Sequence, residues 1–334
     1  MEPAPATLDV LAFGHAIVDV LAACDDGFIA AHGLIKGTMV LVDADQSAAI
    51  YASMGPGIEM SGGSAANTAA GVASLGGAAA FVGKVADDEL GRIFAHDLRA
   101  AGVAYTTPPT AADRQGTARS LVLVTPDAER TMNTFLGVAG ELSEADVDEG
   151  LVATARITYV EGYLVGLPSA EGALRKAMAA AHAAGRQVAL SLSDPLWVAH
   201  QHEALLGLLP DVDLLLANEG EAVELTGAAG LDAAVEELTR SCPVVAVTRG
   251  AAGVLVADGK ETTAVPAVPV EAVVDTTGAG DLFAAGFLRG LTAGLPLPDC
   301  ARLGGLAAAE VISHVGARPQ TSLQQLAARA GLLP

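Results

Sequence analysis

Cationic side chains are scarce in this chain. Its 334 residues carry 18 Lys and Arg against 39 Asp and Glu, a formal charge of −21 with His neutral. A nucleic-acid backbone needs a basic stripe to meet it, so DNA and RNA are not expected partners. Any phosphate held here must be held locally, by backbone N–H groups, a metal ion or a few Arg side chains. The acidity itself reads as solubility. Cysteine is equally sparse. Cys24, Cys242 and Cys300 stand far apart and match neither a zinc pattern nor a disulfide framework, which points to a reducing cytoplasm. No uncharged apolar run of roughly 18 residues is free of Gly-rich breaks, so no membrane span is expected. The residues before the strand-like Thr7–Gly14 contain no Lys or Arg, so no secretory signal is expected either.

Two common nucleotide loops are also missing. Gly259-Lys260 is followed by Glu261, and no Gly lies five residues earlier, so there is no Walker A loop. Gly278-Ala279-Gly280 has Phe283 where a third Gly of a dinucleotide fingerprint belongs. No linker, low-complexity stretch or internal repeat divides the chain.

What is present is a globular, 51% hydrophobic sequence rich in Ala and Gly. Short apolar runs at Leu8–Gly14, Ala78–Gly83, Ile157–Val160, Gln187–Leu192, Val212–Ala217, Val244–Thr248 and Gly253–Ala257 read as strands. Helical patterns separate them at Ala65–Leu75, Asp88–Ala101, Ser169–Ala184, Glu219–Thr226, Leu231–Arg240, Ala279–Thr292 and Asp299–His314. Continuous apolar strands between amphipathic helices predict an α/β fold, a mostly parallel sheet covered on both faces. Two segments, Val18–Val42 and Val103–Phe135, break this rhythm. In the second, Thr117–Thr125 and Arg130–Phe135 read as strands around the turn Pro126-Asp127-Ala128. We read residues 16–45 and 103–137 as a small β-rich lid inserted into a single large α/β body.

The most informative stretch is Asp275-Thr276-Thr277-Gly278-Ala279-Gly280-Asp281, between strand-like Val273-Val274 and an apolar helix. Small residues at a helix start let an anion approach N–H groups that have no partner within the helix. An isolated G-A-G-D is more often a plain strand-to-helix turn; the seven-residue string is far more specific. It resembles the second signature of the ribokinase (PfkB) family of carbohydrate and nucleoside kinases. Gly62-Gly63-Ser64-Ala65-Ala66-Asn67 resembles the first signature, and Val82–Gly91 the following strand-loop-helix. Asn218-Glu219-Gly220-Glu221 resembles the N-x-x-E motif, and Thr248-Arg249-Gly250 the T-x-G loop. The matches run nearly end to end, in the family's order. Within the family, adenosine kinases are most similar, through Gly14–Asp19, Ala155–Tyr163 and Leu190–Pro195.

The resemblance implies a ribokinase-like three-layer α/β/α sandwich that transfers the γ-phosphate of ATP to a hydroxymethyl group. It implies Asp281 as the base, with the N–H groups of Gly278, Ala279 and Gly280 facing the transferring group. It places Asp19 on two sugar hydroxyls, with Gly62, Gly63, Ser64 and Asn67 on the facing helix start and Tyr163 against the base. Thr248, Gly250, Gly253 and Asn218 would meet ATP. Glu221 and Asn218 would hold Mg2+ through water, although Asn-x-x-Glu also fits a plain helix cap. Arg130 would swing onto the ATP phosphates; as a lone residue it reads equally as a surface strand Arg. Asp275, Thr277 and Gly316 are implied as a monovalent-cation (K+) loop. His200-x-His202 reads as surface. The chain is only 4% aromatic. Leu164 stands where relatives place a second ring, Trp197 is either a wall or core, and His15 replaces a common Asn. These departures leave open another nucleoside, ribose, fructose or 2-keto-3-deoxygluconate as acceptor, and, on the same fold, a non-catalytic nucleotide-binding regulator. The family contains both monomers and homodimers.

Overall fold

The computed structural model describes residues 6–111, 115–127 and 129–334. Its strands are β1 (Leu8–Phe13), β2 (Ile17–Ala23), β3 (Met39–Leu41), β4 (Ile58–Gly62), β5 (Ala79–Val82), β6 (Ala104–Tyr105) and β7 (Ala118–Val124). There follow β8 (Arg130–Phe135), β9 (Ala155–Glu161), β10 (Gln187–Ser191), β11 (Leu214–Asn218), β12 (Val244–Thr248), β13 (Val254–Ala257) and β14 (Thr262–Val265). Nine of them form one sheet in the order β14-β13-β12-β11-β10-β9-β1-β5-β6, parallel from β12 to β6 and antiparallel over the last two pairings.

The strand sequences explain the layers. Alternate residues point to opposite faces. Val10, Ala12, Ile157, Tyr159, Leu214 and Leu216 are buried with Leu282, Ala285 and Phe287 of helix Ala279–Thr292. Their neighbours Leu11, Phe13, Val160, Val188, Leu190 and Leu215 are buried with Leu174, Ala177 and Met178 of helix Pro168–Ala183. Both faces are dry, so the strands carry no polar alternation, and a three-layer α/β/α sandwich results. Gly71 lets helix Ser64–Ser74 lie against helix Ala279–Thr292, since a Cβ there would stand 2.5 Å from that of Ala285.

The remaining strands form a second sheet, β3-β8-β7-β2-β4. One face packs Val20, Leu121 and Leu123 with Ile29 and Ile50, from helices Asp26–Ala31 and Ala44–Ser53. The other face turns toward the larger sheet.

The limits expected for this smaller unit need correction. β4, outside 16–45, pairs antiparallel with β2 from Ile17↔Gly62 to Leu21↔Ile58. It is an edge strand with exposed Ile58 and Glu59, so no apolar run marks it. β6, inside 103–137, belongs instead to the larger sheet. The Tyr105 ring packs against Phe81 and Phe94, and its hydroxyl donates to Gly83 O at 2.9 Å, which draws β6 onto β5. β7 and β8 pair as expected from Arg119↔Phe135 to Val124↔Arg130; Ala128 of their turn lies outside the described residues. Among the described residues no helix is long and apolar enough to cross a membrane.

Candidate active site

The C-terminal ends of β1, β9, β10 and β11 open on one edge of the larger sheet, where open α/β sheets bind ligands. The smaller sheet faces that edge across a cleft of about 450 Å³, within the range of small-molecule sites. Asp19, Gly63, Ser64, Asn67, Tyr163, Asn218, Glu221, Thr248, Thr277, Gly278, Ala279, Gly280 and Asp281, distant in sequence, all line it.

Asp281 lies in the first turn of helix Ala279–Thr292. Its Oδ1 accepts from the Ser64 hydroxyl at 2.7 Å and its Oδ2 from Asn67 Nδ2 at 2.8 Å. Helix Ser64–Ser74 thereby fixes the carboxylate, and Thr68 Oγ1 donates to Asp281 O at 3.1 Å. Burial pushes the Asp281 carboxyl up to about 6. The Ser64 and Asn67 bonds pull it down, Glu161 raises it and Arg318 lowers it. Asp19 projects from β2 and is raised to about 7, by burial first, with the charges of Arg318 and Arg130 opposing and that of Asp281 adding. Gly62 is needed beside it: a Cβ would stand 2.2 Å from Asp19 Oδ2. Gly63, at φ 91°, caps helix Ser64–Ser74 where a Cβ would stand 2.3 Å from His15 O.

The three cradle residues differ from one another. Gly278 has φ 79°, and a Cβ would stand 2.7 Å from that of Ala317, so the fold itself requires glycine. A Cβ on Gly280 would meet nothing within 4 Å. No protein atom claims that space, which suits the close approach of an anion. The amide of Ala279 turns back to Thr276 O at 3.2 Å, contrary to the expectation that all three amides face a ligand. The amides of Gly278 and Gly280 have no acceptor among the described residues.

On the other flank, Asn218 and Glu221 form a reciprocal cap. Asn218 Oδ1 accepts from Glu221 N at 2.9 Å, and the Glu221 carboxylate accepts from Asn218 N and Nδ2 at 2.8 and 2.6 Å. The helix-cap reading is therefore realised. Glu221 nevertheless lines the cleft, its carboxyl raised to about 7 by burial, with the Asn218 N–H opposing and Asp194 adding. Each oxygen keeps a lone pair, which fits a cation approached through water, as Mg2+ prefers. No cluster of three or more His, Cys, Asp or Glu that could hold a metal occurs among the described residues. Any Mg2+ here would take most of its ligands from phosphates and water.

Thr248 reaches the cleft, but Gly250 and Gly253 do not line it. They shape the β12–β13 turn, where Gly253 N donates to Gly250 O at 3.0 Å and Arg249 N to Gly253 O at 2.7 Å. Arg130 extends from β8 to Asp275, with Nη2 at 2.6 Å from Oδ2, and its Nη1 donates to Thr277 Oγ1 at 3.2 Å. Gly316 N also donates to Asp275 Oδ2, at 2.8 Å. Asp275, Thr277 and Gly316 are thus brought together, around a guanidinium.

Tyr163 and Trp197 form an aromatic corner, ring centroids 6.1 Å apart and tilted 59°. Trp197 Nε1 donates to Gly162 O at 2.9 Å, and both rings line the cleft, so Trp197 is a wall residue. Leu164 is fully buried in the core. His200 and His202 each bond a backbone carbonyl, of Leu196 and Leu225.

Three participants were not foreseen. Glu161, 1% exposed at the end of β9, accepts from His15 N at 2.7 Å and from Ala65 N at 2.8 Å, and His15 Nδ1 lies 2.8 Å from it. Arg318 donates to Ser61 O, Ser61 Oγ and Ala66 O, tying β4 to the start of helix Ser64–Ser74. Ser193, at φ 76°, is the single non-glycine residue with positive φ among the described residues; its hydroxyl accepts from Gly162 N at 2.9 Å. Their partners lie 31 to 257 residues away, beyond any local pattern. The one visible signal was an acid, Glu161, ending an apolar strand.

Comparison with known proteins agrees with this geometry. The model of the pfkB family carbohydrate kinases matches residues 59–324. A solved structure of adenosine kinase from Sinorhizobium meliloti is 50% identical, with a TM-score of 0.91 over 97% of this chain and 100% of that one. A probable sugar kinase protein from Rhizobium etli CFN 42 is 46% identical, with a TM-score of 0.92 over 98% and 100%. The adenosine kinase of Saccharomyces cerevisiae is 29% identical across 93% of this chain and 96% of its own. With the family model spanning most of its length and the family's motifs converging on one cleft, the chain belongs to the pfkB family of carbohydrate kinases, phosphotransferases that act on an alcohol group.

Proposed function

We propose that this enzyme is an adenosine kinase, converting ATP and adenosine to ADP and AMP. The observation that carries the reading is the placement of Asp281 on Ser64 and Asn67, beside a cradle with open space over Gly280. The 5′-hydroxyl lies against the Asp281 carboxylate. Its oxygen bonds the γ-phosphorus, the bond from that phosphorus to the β,γ-bridging oxygen breaks, and the hydroxyl proton passes to Asp281. Bond formation lags in such loose transfers, so a carboxylate raised to about 6 suffices as acceptor. The free amides of Gly278 and Gly280 face the transferring group, and Asp19 takes two sugar hydroxyls. Mg2+, when bound near Glu221, supplies charge neutralisation on the phosphates. The smaller sheet acts as a lid that excludes water.

Adenosine is favoured over a free sugar by the Tyr163–Trp197 corner, which offers a base two ring surfaces, and by the adenosine kinases among the relatives. A sugar kinase is the second reading, supported by the modest aromatic surface and by the probable sugar kinase relative. The test is ADP formation from ATP-Mg2+ with adenosine, inosine, guanosine, ribose, fructose and 2-keto-3-deoxygluconate. Adenosine should show the highest kcat/KM. Turnover of a free sugar and of no nucleoside would overturn adenosine as substrate; turnover of none would favour a binding protein.

A further inference from the structure

Asp275 opens the loop that ends in the cradle, and its side chain is 3% exposed. Its Oδ1 accepts from Thr277 N at 3.0 Å and Thr277 Oγ1 at 2.7 Å. Its Oδ2 accepts from Gly316 N at 2.8 Å and forms an ion pair with Arg130, Nη2 lying 2.6 Å away. Of the carboxylate's roughly four acceptor sites, three take hydrogen bonds, and the guanidinium stands against the remaining side of Oδ2. The Thr277 hydroxyl oxygen, beside Asp275, accepts from Arg130 Nη1. A monovalent cation does not fit this arrangement. At Oδ1 it would have to displace one of two donors, and beside Oδ2 it would meet the guanidinium charge directly.

We propose that Arg130 takes the place of a monovalent cation in this chain: its guanidinium is the built-in positive charge that holds the Asp275–Asp281 loop. The three hydrogen-bond donors come from Thr277 and Gly316, at the loop itself and beneath it. The compensating charge is carried by β8 of the smaller sheet. Ordering of the cradle is thereby tied to the position of that sheet and not to an ion in solution. A planar guanidinium suits the task, because two of its nitrogens engage Asp275 and Thr277 together, which a lysine ammonium matches only as a point charge. Arg130 is here a positioning residue, in addition to any contact with phosphate. The significance of the cradle rests on the proposed kinase reading; the ion preference does not.

The test compares KCl with choline chloride at equal ionic strength, by thermal unfolding and by turnover of the acceptor the wild type uses best. The wild-type protein should melt at the same temperature in both salts and turn over at rates within about twofold of each other. Arg130→Ala leaves Asp275 uncompensated, so turnover in choline should fall by about 10²-fold or more. KCl should restore at least about tenfold of it and raise the melting temperature. Folding of that variant only in KCl would be the same rescue. Arg130→Lys, which keeps a charge, should stay indifferent to the salt. K+-dependent stability or turnover in the wild type would overturn the inference. So would an Arg130→Ala protein that gains nothing from K+ in either measurement, or an Arg130→Lys protein as K+-dependent as the alanine variant. Thermal unfolding requires no acceptor, so failure to phosphorylate adenosine would leave this result standing.

Discussion

Replacing Asp281 with asparagine should abolish most turnover and stabilise the protein at the same time. The carboxyl is raised from 3.8 to about 6, chiefly by burial. At 1.36 kcal/mol per pKa unit, keeping it ionised in the folded chain costs about 3 kcal/mol relative to the unfolded chain. Its partial exposure to the cleft screens some of this, so about 1–3 kcal/mol should be recovered by a neutral amide of the same shape. The hydrogen bonds can be kept. Asn67 Oδ1 is buried without a partner, so turning that amide presents an acceptor to the new NH2 group, while the Ser64 hydroxyl still donates to the remaining oxygen. The gain is full above pH 6, where folded and unfolded carboxyls are both ionised. It shrinks as the pH falls through about 6, where the folded group takes up its proton, and vanishes near and below 3.8. Urea unfolding of both proteins at pH 8 and pH 4.5 measures this, and kcat at pH 8 should fall about 10²–10⁴-fold. An Asp281→Asn protein less stable than wild type at pH 8, or equally stabilised at both pH values, would refute the electrostatic reasoning. Near-wild-type kcat would refute the assignment of the base.

The two cradle glycines should separate in opposite ways. Gly280→Ala, with no protein atom near its Cβ, should fold at least as well as wild type, by about 0.5–1 kcal/mol from helix propensity, yet lose at least about tenfold in kcat. Gly278→Ala should lose about 1–3 kcal/mol of stability, because φ 79° and Ala317 both oppose it; equal Tm values for the two variants would contradict this. Finally, kcat/KM should fall on the acid side with an apparent pKa between about 6 and 7, shared by Asp281 and Asp19. A flat profile between pH 5.5 and 8 would exclude either group as an essential anion.

The larger sheet was legible because its strands are buried on both faces. Runs such as Leu214–Asn218 and Val244–Thr248 have no polar alternation to obscure them, and Gly278 and Gly63 punctuate the two site helices where read. The smaller sheet was harder. β4 is a half-paired edge with an exposed start, and β6 is two residues long, held by a ring contact that no local pattern encodes. Helix Ala44–Ser53 did leave a signal, the Asp43–Gln46 capping box, at the border of a segment read as β-rich. Within the site, most residues of the contiguous motifs line the cleft, but Gly62, Gly250 and Gly253 do not. Glu161 and Arg318 were not assigned, because each acts through partners brought close only by the fold. The cation loop was read from its residues alone, and Arg130, more than 140 positions earlier, changes what that loop can hold.

β1 and β2 are separated only by Gly14, His15 and Ala16, yet they belong to different sheets. The backbone N–H of His15, midway along this bridge, is pinned to Glu161. Asp19 therefore stands on one sheet and Asp281 on a helix packed against the other, on either side of a three-residue joint held at its centre. On the proposed function, an acceptor meeting both carboxylates would bridge that joint, so its binding would link the two sheets where the chain itself crosses between them.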